Sequence, residues 1–148
     1  MTTVDYSELW DAVDAASSTD LLEAEGYIDK KTGKVFIISD MGAFGEEEIP
    51  DDIRESSRYL LVPTKKDLGL AKPLVMAFVR EALPNDYDTV AHYFRTKGAW
   101  LKFRTLLQIR GDALDRWYRY EERAIEVALT QWVESRGLVL RKNPRSAN

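Results

Sequence analysis

A chain of 148 residues, 45% of them hydrophobic and 31% charged, fits a single folded domain that buries roughly two-thirds of its unfolded surface without a staple. It has no cysteine and one histidine, His92, which excludes a disulfide framework, thiolate zinc, iron–sulfur clusters, Cys nucleophiles and His-pair metal sites. The net charge of −4 is unevenly spread: residues 1–60 carry −10, residues 61–94 are neutral and residues 95–148 carry +6.

Asp5, Glu8, Asp11, Asp14 and Asp20 fill the first twenty residues, so neither a basic n-region nor an apolar h-region of a signal peptide is present. No run approaches the ~18 apolar residues of a membrane helix. A cytoplasmic protein with no membrane partner is the expectation. Asp5-Tyr6-Ser7-Glu8 reads as a loose capping box, followed by Tyr6, Leu9, Trp10 and Val13 at helical spacing, which predicts a helix to about Ala16. Gly26–Asp29 and Lys34–Ser39 are aromatic and β-branched runs flanking Lys30-Lys31-Thr32-Gly33, the pattern of a β-hairpin.

Residues 40–58 read as a polar loop with one helical turn near Ile53, and Tyr59–Val62 as a third strand stopped by Pro63. A helix over Asp67–Leu83 contains Pro73, so it either begins near that proline or bends there. Asn85 and Asp88 are the expected caps of the next helix, which carries Val90, Ala91 and Phe94. Breaks at Thr96-Lys97-Gly98 and Gly111 frame a helix over Ala99–Ile109. A long helix follows over Asp112–Arg136, closed by Gly137. Leu138-Val139-Leu140 is a candidate closing strand, and residues 142–148 an expected disordered tail. The fold class is therefore α+β: a small antiparallel sheet, hairpin plus third strand, packed against a C-terminal helical bundle. Trp100, Phe103, Trp117 and Trp132 are assigned to the core by their helical spacing.

Tyr27-Ile28-Asp29-x-x-Thr32-Gly33-x-Val35 and the Tyr59-Leu60 pair leading to Pro63 form one block. Gly98-Ala99-Trp100-x-x-Phe103-x-x-x-Leu107, then Gly111, Trp117, Tyr118, Ala128, Trp132 and Gly137-Leu138, form a second. In order and spacing these blocks resemble a family of small bacterial proteins of unknown function, uncharacterised protein family 158. The resemblance covers about residues 24–140 and leaves the first twenty outside. It implies an α+β fold and a cytosolic bacterial origin, and it implies no activity and no catalytic residue.

Chemistry-bearing patterns are few. G-x-G-x-x-G, the Walker loop and G-x-S-x-G are absent. His92 lies between Ala91 and Tyr93 with nothing nearby to orient it as a base. Glu46, Glu47, Glu48, Asp51 and Asp52 lack the alternating spacing of a calcium loop and read as a solvated acidic stretch. No cofactor, metal ligand or catalytic residue is assigned.

The candidate anion-binding residues are Arg95, Lys97, Lys102, Arg104 and Arg110, gathered around Gly98 ahead of a helix start. The helix they frame is apolar nearly all round, which argues for burial and against a groove-reading helix. Arg116 and Arg119 follow Asp112 and Asp115 by four residues and read as helix-surface ion pairs. Three classes of function remain. The first is a non-catalytic interaction or regulatory module that uses an aromatic-rich helical face or the exposed hairpin edge for a protein partner or self-association, its basic end paired with the acidic end internally or across a dimer. The second is a nucleic-acid or phosphate-ligand binder using the basic face. The third is a carboxylate-based enzyme.

Overall fold

The computed structural model describes residues 1–17, 23–39, 42–43 and 48–142. These fall into two compact units: Met1–Leu68 together with Val127–Asn148, and Gly69–Glu126. The expected tail beyond Lys142 and most of the acidic loop, Glu46 and Glu47 included, lie outside the described residues.

The first unit is built on an antiparallel sheet. Strands β2 (Ala24–Asp29) and β3 (Val35–Ser39) form the hairpin, with Tyr27 opposite Phe36 and Ile28 opposite Val35. Strand β4 (Gly42–Ala43), inside the stretch expected to be loop, pairs antiparallel with β3; strand β5 (Tyr59–Leu61) pairs antiparallel with β2, giving the order β4-β3-β2-β5. Tyr27, Phe36 and Ile38 share one face with Ile53, and the half-buried Ile49 and Tyr59 close over them. The turn at Ile53 is real: Ile53 N–H donates to the Pro50 carbonyl at 3.2 Å and Ser56 N–H to the Asp52 carbonyl at 2.9 Å.

Helix α1 (Tyr6–Ala16) is capped as expected, Glu8 N–H donating to Asp5 Oδ1 at 3.1 Å. It packs on the hairpin at Gly26, where a Cβ would stand 2.9 Å from Ala12 Cβ, so the helix approaches the strand as closely as the missing side chain allows. Lys65 fastens the far end of α1, with its Nζ on Asp14 Oδ1 at 2.6 Å and its N–H on Ser17 Oγ at 2.8 Å.

Asp29 is the one buried carboxylate among the described residues. It accepts a two-pronged bond from Arg58, Nε to Oδ1 at 2.9 Å and Nη2 to Oδ2 at 2.7 Å, and a third from Lys31 N–H at 2.8 Å. One side chain thus ties the hairpin turn to the approach of β5. The Arg58 hydrogen bonds hold its carboxyl at about 2, against an ordinary 3.8.

The chain ends contribute a feature the periodicity missed. Thr3–Asp5 forms a short strand, β1, which pairs in parallel with β6 (Val139–Arg141), Val4 opposite Leu140. The expected closing strand therefore exists, in a two-stranded sheet of its own. Gly33 anchors this corner: its φ is +80°, and a Cβ there would overlap the Thr3 carbonyl.

The second unit is helical. Helix α2 (Lys72–Ala82) starts at Pro73's turn, as one of the two expectations has it, with Leu74, Val75, Met76, Phe78 and Val79 buried. A 3₁₀ turn over Pro84–Asp86 leads into α3 (Tyr87–Tyr93). Neither Asn85 nor Asp88 caps α3; Asp86 holds the N-cap position and makes no side-chain cap bond. Helix α4 (Ala99–Gln108) and the long helix α5 (Ala113–Ser135) follow, the residues of α5 from Val127 on belonging to the first unit. Past α5, Leu138 N–H donates to the Val133 carbonyl at 3.1 Å, the Gly137 stop expected from sequence.

Phe103 and Trp117 are fully buried, their rings edge-to-face at 5.1 Å, and Phe78 meets Trp117 at 5.3 Å. Two assignments to the core need correction. Trp100 is 42% exposed, one edge resting on Phe94 at 5.3 Å, and Trp132 is half-buried with the Arg136 guanidinium over its ring at 5.6 Å. The architecture is α+β, and no helix among the described residues is long and apolar enough to cross a membrane.

Candidate functional site

The helix break ahead of α4 turns on Gly98, whose φ of +73° reverses the chain and places it at the N-cap with no side-chain cap bond. Thr96 Oγ1 donates to the Tyr93 carbonyl at 2.8 Å and accepts from Lys102 Nζ at 2.7 Å, so the first turn of α4 is laced back to the end of α3. Arg95 and Lys97 occupy the turn itself, and Arg104 lies one helical turn further along α4.

All five predicted cations are exposed, but they do not form one constellation. Arg95, Lys97 and Arg104 have no ion-pair partner among the described residues. Lys102 is committed to Thr96. Arg110 is spent in a fork on Asp86, Nε to Oδ2 at 3.0 Å and Nη2 to Oδ1 at 3.1 Å. That fork lowers the Asp86 carboxyl below the ordinary range and raises the guanidinium. It also explains why Asp86 caps nothing. Arg110 is a structural clamp across the 3₁₀ turn, and four cations remain of the expected set.

The face they frame differs from the expectation of a buried helix. Phe103, Leu106 and Leu107 point inward, whereas Leu101 is 68% exposed and Ile109 67% exposed beside the half-open Trp100. The outer surface of α4 thus alternates uncovered apolar side chains with Lys102 and Arg104. His92 is exposed at the end of α3, and Glu48, Asp51 and Asp52 are exposed and join no metal-binding group among the described residues.

The structure corrects the two ion pairs expected on α5. No ion pair joins Asp112 to Arg116 or Asp115 to Arg119. Arg116 and Arg119, with Arg123, instead line a groove of about 310 Å³ against Phe78 and Tyr120. The detectable signal was the spacing of three arginines and a tyrosine on one helical stripe.

Comparison with known proteins gives two matches. The model of an uncharacterised protein family, UPF0158, matches residues 2–142, which takes in the N-terminal helix that the sequence blocks left out. A UPF0158 protein of Pseudomonas aeruginosa is 28% identical over 156 positions, covering 97% of this chain and 91% of that relative. No solved structure matches.

Proposed function

This chain belongs to the uncharacterised protein family UPF0158, and from that premise we propose that it is a non-catalytic interaction module whose contact surface is the outer face of α4 with the turn before it. The observation that carries this reading is the exposure of Leu101, Ile109 and Trp100 next to Arg95, Lys97 and Arg104. Large apolar side chains left in water beside unpaired cations match an interface with an apolar centre and a charged rim. The complementary surface is acidic, and residues 1–60 with a net charge of −10 supply one on a second copy of the chain. The proposed compartment is the cytoplasm, in keeping with a cysteine-free chain.

Sedimentation velocity over a concentration series at low and high salt tests it. Association that weakens with salt and vanishes in the Leu101→Asp/Ile109→Asp variant supports the reading. A wild type that stays monomeric at every concentration restricts the surface to a different protein partner, sought by pull-down with and without nuclease.

A second reading, nucleic-acid binding, is supported by three exposed cations, Lys97 in the turn and Lys102 and Arg104 on α4. Counterion release would make such affinity fall steeply with salt. Filter binding of mixed RNA and duplex DNA at two salt concentrations separates the readings. Tight binding at physiological salt that the Lys97→Ala/Lys102→Ala/Arg104→Ala variant abolishes, with folding intact, selects nucleic acid over protein.

A further inference from the structure

We propose that the groove between α2 and the first half of α5 binds a small phosphorylated molecule with a planar ring, of mononucleotide size. This site is separate from the face of α4 and does not depend on it. Arg116, Arg119 and Arg123 recur at offsets of three and seven along α5, with Tyr120 between them, so all four side chains lie on one stripe of the helix. None of the three guanidinium groups has a hydrogen-bond or ion-pair partner among the described residues. Three like charges on one stripe repel one another, and an anion between them removes that repulsion. Guanidinium suits phosphate in particular, because its planar fork of N–H donors matches two phosphate oxygens at once.

The floor of the groove supplies the second half of the recognition. Tyr120 meets Phe78 at 5.3 Å and stacks at 26° on the buried Trp117, ring centres 6.4 Å apart. A half-buried ring braced from behind is a fixed platform for another planar ring. Glu81 stands on the α2 side as the lone carboxylate in the lining. It accepts a hydrogen bond from a ring N–H or a sugar hydroxyl and repels a second anionic group. The arrangement therefore selects a molecule charged at one end and flat and polar at the other. A volume of about 310 Å³ stands at the lower limit of small-ligand sites, which suits one nucleotide and not a strand.

Calorimetric titration of the full chain with adenosine monophosphate, guanosine monophosphate, adenosine and inorganic phosphate tests the proposal. The expected result is saturable binding of at least one monophosphate, with adenosine about tenfold weaker or worse. Arg119→Gln/Arg123→Gln is expected to lose about tenfold in affinity with an unchanged melt, since both side chains are exposed. Tyr120→Leu is expected to weaken the monophosphate while leaving inorganic phosphate unchanged, and Tyr120→Phe, which keeps the ring and the packing, to bind like the parent. The proposal is overturned if neither monophosphate binds, if the double variant binds equally well, or if adenosine matches its phosphate. It is overturned equally if only a long single-stranded RNA binds.

Discussion

Asp29 keeps its charge in a place where an unpaired carboxylate would give it up. Its folded value of about 2 lies below the ordinary 3.8, so the unfolded chain binds the proton more readily and stability falls with acid. The contribution is fully present above about pH 4 and is lost as pH drops through about 2. Full conversion of that depression corresponds to about 2 kcal/mol; solvent around the half-exposed Arg58 trims it toward about 1 kcal/mol. Urea melts between pH 5 and pH 2 are expected to show this loss, and Arg58→Ala to flatten it. The same variant is expected to cost about 2–3 kcal/mol at pH 7, because it leaves a buried carboxylate with backbone partners alone. Among the aromatics, Trp117→Ala is expected to cost about 3–5 kcal/mol, since Trp117 is 2% exposed and touches Phe78, Trp100, Phe103 and Tyr120. Trp100→Ala is expected to cost about 1–2 kcal/mol, in proportion to the smaller area it removes from contact. Sequence spacing could not separate these two tryptophans. Periodicity says that a residue lies on an apolar stripe; what covers the edge of that stripe is decided elsewhere in the chain.

Elements with local causes were legible. The hairpin, the Asp5 cap, the start of α2 at Pro73 and the stops at Gly98 and Gly137 each follow from residues within a few positions of the event. Elements whose fate depends on a distant partner were not. Asn85 was a reasonable cap by composition, but the 3₁₀ turn set by Pro84 moved the helix start to Asp86, whose carboxylate answers Arg110 instead. The Asp112 and Asp115 pairings failed for a related reason: spacing of four places two side chains within reach without making them meet. The glycines give an element-scale test. Gly33→Ala meets both a positive φ and the Thr3 carbonyl and is expected to cost more than about 2 kcal/mol. Gly98→Ala meets open space and is expected to cost only the backbone penalty, about 1 kcal/mol. Equal losses in chemical denaturation would mean that the β1 corner yields to the added methyl.

For the molecule as a whole, the charge division read from sequence reappears in the ion pairs. Two of the five bases of the acidic segment are paired locally, Arg54 with Glu25 and Arg58 with Asp29, while Arg95, Lys97 and Arg104 stay unpaired among the described residues. That is why salt is expected to act on association more than on folding. Raising salt from low to physiological should change the melting midpoint little, because exposed pairs such as Arg54–Glu25 are already weakened by solvent. A large salt-dependent loss of stability in dilute protein would show that the cations serve the fold. The candidate surface was half legible: its residue types stood in the sequence, but their exposure and the diversion of Arg110 required the tertiary arrangement.

The pairing of β1 with β6 fixes an order of events during synthesis. Val4 and its partner Leu140 stand 136 positions apart in the chain, so the ribosome makes one long before the other. At roughly 5–20 residues per second, the first strand waits on the order of ten seconds for the residues that cover it. For that interval the hairpin and α1 exist without their closing strand, and the Gly69–Glu126 unit, being continuous in the chain, has every residue it needs before the other unit does. A ribosome stalled short of residue 139 would thus carry one unit with a full set of parts and one with an open edge.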